Sequence, residues 1–536
     1  MDRPMPSPAR LPMPLYALVC MLVLLGLGAV WHGLGRPVVL ADAAGPTHKL
    51  QCASYTPFDK DQSPFDQPFQ LRPMRMDADL ALLAERFECV RTYSMTGLQA
   101  IPALARKHGL KVMLGAWVNA NPVDTAREVR LLIEAANANP DVVAAVIVGN
   151  EALLRKEITG SALAGLIAQV KRAVSVPVTY ADVWEFWLQH PQIAPAVDFL
   201  TIHLLPYWED QPRDIGDALR HVARIHQRFV ERFAPKPIFI GETGWPSEGR
   251  QRETALPSRV NEARFVRGFV AQAEAGGWRY NLIEAFDQPW KRASEGAVGG
   301  YWGLYDADRQ DKGVLEGPVS NLALWPHWWL ASGVLMLATL LIAGRPRGLG
   351  AALGLPLLAA FGAGSLGLWG ELTRTHARFA GEWAWAVSLA LLSAVLMVHA
   401  ALALGGRRGW RAALFAWLQG MGRWLVLAAG FAAAVSMLEM VFEPRYRSLP
   451  TAALALPALV LSLRPLAAPP RECALLAAVV GLGILPQLYQ EGLHSVQAWG
   501  WAGVSLAMAV ALLRCRRRGL ERSATLPGSD APAHQA

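Results

Sequence analysis

Eight long apolar runs constrain this chain more than any other feature of its sequence. The first, residues 15–31, carries no charge and follows Arg3 and Arg10. Apolar segments of this length are typical of membrane helices, so the chain cannot fold as one ordinary globular protein. No convincing small-residue cleavage site follows the first run, which predicts an uncleaved signal anchor. The other seven runs lie near 326–343, 349–370, 383–404, 424–441, 450–463, 473–488 and 496–513.

The arginines between these runs predict the orientation of the chain. Basic loops stay on the cytoplasmic side of a membrane. If the N-terminus is inside, alternation places the arginine-dense segments 405–423 and 514–518 inside as well. The outside loops then hold only Arg374, Arg378, Arg445 and Arg447. We therefore expect a multi-pass protein of the plasma membrane or inner membrane, with residues 44–325 held outside the cytoplasm.

The net charge does not indicate a nucleic-acid partner. The whole chain carries +8, but residues 44–327 contain 31 basic and 33 acidic residues. The surplus therefore lies in the short segments between apolar runs, where orientation signals occur. We predict that the chain contacts membrane lipid and no nucleic acid, and that residues 514–536 form a basic, disordered cytoplasmic tail.

Residues 44–325 alternate between strand-like and helix-like segments, the pattern of a parallel α/β fold. Eight strand-helix units in a segment of this length predict an α/β fold of the (β/α)8 barrel type. An open doubly wound sheet is the alternative, but no glycine-rich phosphate loop follows the first strand. The predicted strands are 50–56, 89–94, 111–118, 144–150, 177–183, 198–206, 237–242 and 281–287. The predicted domains are 1–43, 44–325, 326–513 and 514–536.

Two predicted strands end in a carboxylate. The fourth runs into Gly149-Asn150-Glu151, and the seventh runs into Gly241-Glu242-Thr243. Because a barrel places the carboxyl ends of its strands around one mouth, we expect Glu151 and Glu242 to face each other there. Glycoside hydrolysis needs such a pair, one as acid and one as nucleophile or base.

Short motifs along the same segment resemble glycoside hydrolase family 17, the β-1,3-glucanase and glucanosyltransferase family, and in particular its bacterial membrane-bound members. The likeness spans roughly residues 50–315. Its pieces are Val90-Arg91-Thr92-Tyr93, 148–151, Tyr180-Ala181-Asp182, 241–247, Glu284-Ala285-Phe286-Asp287 and Pro289-Trp290-Lys291.

The resemblance implies a role for each matching residue. Glu151 is the acid/base, Glu242 is the nucleophile, and Asn150 binds the sugar 2-hydroxyl next to the reacting carbon. It further implies a substrate site lined by Tyr93, Tyr207, Trp245, Glu284, Trp290 and Lys291. Two residue roles stay open. His203 is either a catalytic helper or a structural histidine, and Glu284 is either a sugar ligand or an ion-pair partner of Lys291 or Arg292.

The motifs leave the acceptor undecided. Water would give hydrolysis of β-1,3-glucan, whereas a sugar hydroxyl would give transfer with β-1,3 or β-1,6 linkage. Trp208, Trp290, Tyr301 and Trp302 are candidates for holding an acceptor glucan. A glucan-binding protein without catalysis, and a membrane half that docks an enzyme of envelope glucan synthesis, are further alternatives. No metal or cofactor is expected.

The five cysteines have no zinc-binding or CxxC spacing. Cys52 and Cys89 fall on adjacent predicted strands in a domain expected to be exported. We expect both to remain free, because the geometry of a disulfide is demanding and buried thiols are common.

Overall fold

The computed structural model describes residues 11–43, 49–66, 68–443 and 448–524. Arg445, Arg447 and residues 525–536 of the predicted tail lie outside the described residues. The chain divides into two compact units. The barrel unit comprises residues 37–320, and the helical unit comprises residues 1–36 and 321–536.

Helix α1 (Met13–Gly35) belongs to the helical unit and precedes the barrel. The barrel unit contains a closed ring of eight parallel strands in chain order, which confirms the predicted fold. The strands are β1 (Leu50–Ser54), β2 (Phe87–Arg91), β3 (Lys111–Ala116), β4 (Val143–Asn150), β5 (Val178–Val183), β6 (Leu200–Leu204), β7 (Ile238–Thr243) and β8 (Arg279–Leu282). The helices between and after them are α2 (Pro73–Ala84), α3 (Ile101–Lys107), α4 (Pro122–Ala138), α5 (Gly160–Ala173), α6 (Trp184–Gln189), α7 (Ile215–Phe233), α8 (Arg259–Gly276) and α9 (Arg292–Glu295).

Alternation along the strands separates two cores. Outward residues such as Val90, Leu114 and Val146 pack with the surrounding helices in one large cluster. The inward residues form a second, smaller cluster that fills the barrel. Successive side chains of a strand point to opposite faces. A polar residue two positions after an inward apolar residue therefore also points into the barrel, nearer its carboxyl end.

The floor of the barrel contains a disulfide that we did not predict. Cys52 and Cys89 are register partners on β1 and β2 and form a bridge with a Cα–Cα distance of 4.5 Å. Our expectation of two free thiols is therefore wrong. Two directly opposite, inward-facing cysteines fall within the narrow range of separations that a disulfide can span.

The chain enters and leaves the barrel unit at one place. Val38 and Val319 pair as a short antiparallel bridge, with N–H to O distances of 2.8 and 3.0 Å. The segments that precede β1 and follow β8 therefore run side by side.

The helical unit continues with eight helices after the barrel. They are α10 (Trp325–Ala343), α11 (Leu349–His376), α12 (Ala380–Leu404), α13 (Trp410–Gly420), α14 (Gly422–Phe442), α15 (Thr451–Leu463), α16 (Pro470–Glu491) and α17 (Val496–Ala524). Among the described residues, seven helices including α1 are long and apolar enough to cross a membrane, by length and composition. Helix α15, with 13 residues, is shorter. All eight predicted apolar runs are helical.

Glycines allow the helices of this unit to pack closely, as is typical of membrane bundles. A Cβ on Gly483 of α16 would lie 2.3 Å from the Met437 side chain of α14. The structure differs from the sequence reading in two places. Helix α13 lies where we expected only a loop, and α17 runs through residues 514–524, which we assigned to a disordered tail.

Candidate active site

The two predicted catalytic carboxylates come to one end of the barrel through irregularities in their strands. The register between β4 and β5 shifts between Ile147 and Asn150, and the β6–β7 register shifts next to His203 and Glu242. Such shifts re-aim side chains at strand ends. Glu151 then adopts a left-handed backbone, with φ of 52°, and its N–H donates to the Ala181 carbonyl at 2.8 Å. Non-glycine residues in this region are held there by their surroundings.

His203 lies between the two carboxylates. Its Nδ1 is 2.8 Å from Glu151 Oε1, and its Nε2 is 3.5 Å from Glu242 Oε1. The histidine is fully buried. One ligand atom from each of the three residues lies within 4.8 Å of the other two. Both ring nitrogens face a carboxylate oxygen, so His203 lies next to both predicted catalytic residues.

Arg91 fixes the position of Glu242. Its Nη1 donates to Glu242 Oε1 at 3.1 Å and to the Gly241 carbonyl at 2.7 Å, while its Nη2 donates to Asn150 Oδ1. The guanidinium is buried and is the cation closest to Glu242. A buried carboxylate needs such a partner, because an unpaired charge is costly away from water.

Tyr93 lies beside this group. The Arg91 guanidinium is 4.7 Å from the centre of the Tyr93 ring. The Tyr93 hydroxyl donates to Ser54 Oγ at 2.9 Å, and Asn281 Nδ2 donates to the same oxygen at 2.8 Å. Tyr93 and Asn150 therefore both contact Arg91, the residue that binds Glu242.

A second set of charges comes from the segment after β8. Lys291 Nζ forms an ion pair with Glu284 Oε1. Burial raises the pKa of Glu284 to about 7, although Lys291 opposes the shift. Burial also raises the pKa of Glu295, and the charges of Glu151 and Glu242 act in the same direction. Glu295 is thus a further acidic residue close to the site.

The pKa of Glu151 reflects two opposing effects. Burial favours the neutral carboxyl, but the hydrogen bond and charge of His203, with Arg155 and Arg91 nearby, hold the pKa of Glu151 below its ordinary value.

Strand β5 buttresses the turn that carries Glu151. The Tyr180 hydroxyl donates to Asp182 Oδ2 and accepts from the Leu153 N–H at 3.0 Å. Burial raises the pKa of Asp182 to about 6, and the charge of Glu151 acts in the same direction. Two residues of the Tyr180-Ala181-Asp182 motif thus hold the backbone just after Glu151.

The aromatic residues fall into two groups. Tyr207 and Trp245 are 1% and 0% exposed, and their polar tips donate to the Arg250 and Leu256 carbonyls. Neither ring face is open in this structure, which does not support the implied contact with sugar. Tyr207 instead packs edge-on against Trp208 and Trp302, which stack with centroids 6.4 Å apart.

Trp290 lies on the segment after β8. Its Nε1 donates to Gln288 Oε1 at 2.8 Å, and its ring packs edge-on against Phe58 and Phe65. Phe65 is 75% exposed. An apolar, partly exposed aromatic surface of this kind suits the C–H faces of pyranose rings.

Glu151, His203 and Glu242 also have the side-chain types of a metal site. Their ligand atoms are close enough to hold one ion. A metal would compete, however, with the contact between each histidine nitrogen and a carboxylate, and Arg91 already neutralises Glu242. The donor set therefore fits an acid–base arrangement better than a cation site.

Sequence reasoning missed the roles of Arg91, Glu295 and Ser54. Arg91 lies within a motif that we had singled out, and an arginine at an inward strand position was a usable signal. Glu295 is the last residue of α9, a helix of four residues that is too short for a periodic pattern to predict.

Comparisons with known proteins indicate the family of the barrel. Residues 52–303 match the family model of the BtgE/BtgC glycoside hydrolase domain. The chain is similar to a glucan 1,3-beta-glucosidase of Arthroderma benhamiae, 31% identical over 273 residues, which covers 47% of this chain and 84% of that protein. It is also similar to a glucan 1,3-beta-glucosidase of Candida albicans, 26% identical over 262 residues, covering 44% of this chain and 83% of the other.

The solved structures include a β-1,3-glucanosyltransferase from Rhizomucor miehei. An active-site mutant in complex with laminaritriose is 26% identical, with a TM-score of 0.44, and the match covers 50% of this chain and 97% of that chain. The chain spans 38% of a probable beta-glucosidase btgE from Aspergillus flavus, to which it is 31% identical.

Proposed function

Because the chain belongs to glycoside hydrolase family 17 and is a glycoside hydrolase or glucanosyltransferase, we propose that it cleaves β-1,3-glucan by double displacement with retention. The observation that supports this most is the short separation of the carboxylates. Oxygens of Glu151 and Glu242 lie within 4.8 Å of each other. Retaining enzymes hold the two groups about 5 Å apart, whereas inverting enzymes leave about 6.5–9.5 Å for a water molecule.

Glu242 acts as the nucleophile in this proposal. Arg91 donates to Glu242 Oε1 at 3.1 Å and fixes the direction of the carboxylate, and His203 Nε2 lies 3.5 Å from the same oxygen. Attack of one Glu242 oxygen on the anomeric carbon forms a glucosyl ester and breaks the glycosidic bond.

Glu151 acts as the acid in that step and as the base in the next. The leaving oxygen needs one proton, which we assign to the Glu151–His203 pair, since their 2.8 Å contact allows the proton to lie on either partner. After the leaving group departs, the pair accepts a proton from the incoming acceptor, and the ester bond breaks.

Five further residues position the sugar. Asn150 is held by Arg91 and is assigned to the 2-hydroxyl of the reacting glucose. Tyr93, Glu284 and Lys291 supply a hydroxyl, a carboxyl and an ammonium group beside it. Trp290 offers a ring face to a neighbouring glucose.

The stereochemistry of rescue tests the two catalytic roles. Glu242→Ala should lower turnover by about 10⁴-fold or more, and azide should then give an α-configured glucosyl azide. Glu151→Gln should still form the ester from a substrate with a good leaving group, and azide should give a β-configured product. Glu253→Gln, at an exposed carboxylate of the same unit, is the matched control. Exchanged configurations would mean that the two roles are reversed, and full activity in either variant would exclude this site.

Transfer to a second glucan is the alternative outcome of the same ester. Trp208 favours it, because this half-buried ring, supported from behind by the buried Trp302, can hold an acceptor sugar against competition from water. Product analysis on a linear β-1,3-oligoglucoside separates the two. Longer or β-1,6-branched products mean transfer, and shorter products alone mean hydrolysis.

We further propose that the helical unit anchors the enzyme in the cell envelope, with the barrel outside the cytoplasm. Seven apolar helices and the arginine-rich connections at one set of helix ends support this. Reporters fused after Leu324 and after Gly348 should report opposite compartments. The same compartment for both reporters would contradict the model of eight membrane crossings. That model uses the predicted domain boundaries at residues 43, 325 and 513.

A further inference from the structure

Three arginines from three connections of the helical unit lie close together. Arg347 follows α10, Arg407 follows α12, and Arg464 follows α15. The first two connections are joined, since Pro346 and Gly405 form an isolated bridge and the Arg347 N–H donates to the Leu404 carbonyl at 3.2 Å. Arg347 and Arg464 are both close enough to Arg407 to interact with it electrostatically.

A buried histidine belongs to the same cluster. His399 of α12 is 1% exposed, and its ring stacks on Phe415 of α13 with centroids 5.2 Å apart. The Arg407 guanidinium carbon lies 3.6 Å from the centre of the same Phe415 ring. Both nitrogens of His399 and Nε of Arg407 are buried without a hydrogen-bond partner among the described residues.

These charges have no counterion among the described residues. Within the part of the chain that the structure describes, no carboxylate forms an ion pair with Arg347, Arg407 or Arg464, whereas Arg374 and Arg378 at the other helix ends pair with Glu371 and Glu382. Retention of positive charge on one side of a membrane explains arginines in these connections. It does not explain a buried histidine with two unpartnered nitrogens, which is costly away from water.

We propose that this cluster binds a phosphoryl group. A phosphate offers several oxygens as acceptors, and arginine guanidinium groups bind it through paired N–H donors. The exposed Arg347 and Arg464 would contact it from solvent, and His399 and Arg407 from the protein side. Basic pockets between membrane helices bind phospholipid head groups in this way. The same chemistry accepts free phosphate, so the experiment must separate the two sources.

Binding can be measured on the full chain in nanodiscs of neutral phosphatidylcholine. One arm adds inorganic phosphate and follows it by ³¹P NMR. The other arm adds phosphatidylglycerol to the nanodisc and follows its retention by native mass spectrometry. Binding in the second arm alone identifies a lipid head group, and binding in both identifies a site that also accepts free phosphate.

Variants distinguish a defined site from general surface charge. Arg407→Gln and Arg464→Gln should each weaken binding by about 10–100-fold, the loss expected for a charged hydrogen-bonding group. Arg516→Gln and Arg517→Gln remove the same charge from exposed positions on α17 and should leave binding within about twofold. His399→Phe retains the ring stack on Phe415 but removes both nitrogens, and should weaken binding without loss of glucan cleavage. No binding to the wild type, or equal losses in cluster and control variants, would overturn the proposal.

Discussion

The two units of this chain handle charge in opposite ways. The barrel unit buries charged groups and pairs them, as Arg91 does with Glu242 and Lys312 does with Glu262 and Asp287. The helical unit packs apolar and small side chains and keeps its arginines in the connections between helices and toward the helix ends. The difference shows that a carboxylate can be held buried and reactive only where the surrounding strands supply a cation or hydrogen-bond donors, and the barrel provides many strand ends for that purpose.

Removing the buried cation should have the largest effect. Arg91→Met removes the donor to Glu242 and to Asn150 Oδ1, which costs about 3–5 kcal/mol for a broken buried pair. Hydrogen exchange followed by mass spectrometry should show reduced protection of β2 and β7. The control is Arg518→Met in the helical unit, where an exposed pair with Glu521 at 3.4 Å should contribute no more than about 1 kcal/mol. Similar effects of both variants would remove the contrast between the units.

Removing the barrel disulfide should have the second largest effect on stability. The bridge joins residues 37 positions apart, and its removal by Cys52→Ala with Cys89→Ala should cost the barrel about 2–4 kcal/mol. Reduction of the wild-type protein should reproduce the effect. Cys473 and Cys515 are buried but free in the helical unit, so a reductant should leave hydrogen exchange there unchanged. A loss of protection in the helical unit instead would show that the units are not independent in stability.

A bulky residue at a helix contact should act only on the helical unit. Gly483→Leu forces the Met437 side chain aside and should destabilise the α14–α16 contact by about 1–3 kcal/mol. Gly503→Leu is the control, because a Cβ there meets no atom within 4 Å. The midpoint temperature of thermal unfolding of the helical unit should fall for Gly483→Leu and stay unchanged for Gly503→Leu. The rate of cleavage of a soluble β-1,3-oligoglucoside at low temperature should be unchanged for both variants.

The smallest effect is a pH dependence of the barrel. The folded pKa of Asp182, about 6, lies above the ordinary value near 3.9, so the folded barrel holds this proton more tightly than the unfolded chain. The contribution of the protonated Asp182 carboxyl to the free energy of unfolding is full below about pH 4 and is lost as the pH rises through 6. Asp182→Asn should remove this part of the pH dependence of stability. An unchanged slope between pH 4 and 6 would exclude Asp182 as its source.

The sequence predicted the elements better than the contacts between them. All eight strands and the apolar helices were predictable, because the periodicity and length of an apolar segment depend only on residues that are close together in the sequence. The disulfide, the burial of Trp245 and the double contact of His203 depend on residues more than 30 positions apart, or on register shifts that no short pattern reveals. Glu151 and Glu242 were predictable because each closes an apolar strand, whereas Glu295 ends the short helix α9, which no periodic pattern predicts.

Helix α13 shows why the short elements were missed. Its 11 residues lie between two longer apolar runs, and Arg411, the second residue of the helix, belongs to the arginine-dense segment that we read as a connection. In the structure, Arg411 Nε donates to the Ile342 carbonyl at 3.0 Å at the end of α10, so this charge completes a helix end.

The paired entry and exit of the barrel unit have a consequence for the history of such proteins. The chain leaves helix α1 at Gly35 and returns at Trp325, two residues that contact each other, and Val38 pairs with Val319 just beyond. An insertion whose ends already touch adds little loop-closure entropy to its host. One continuous stretch of coding sequence can therefore be gained, exchanged or lost between α1 and α10, leaving a helical hairpin that only needs a short turn to close.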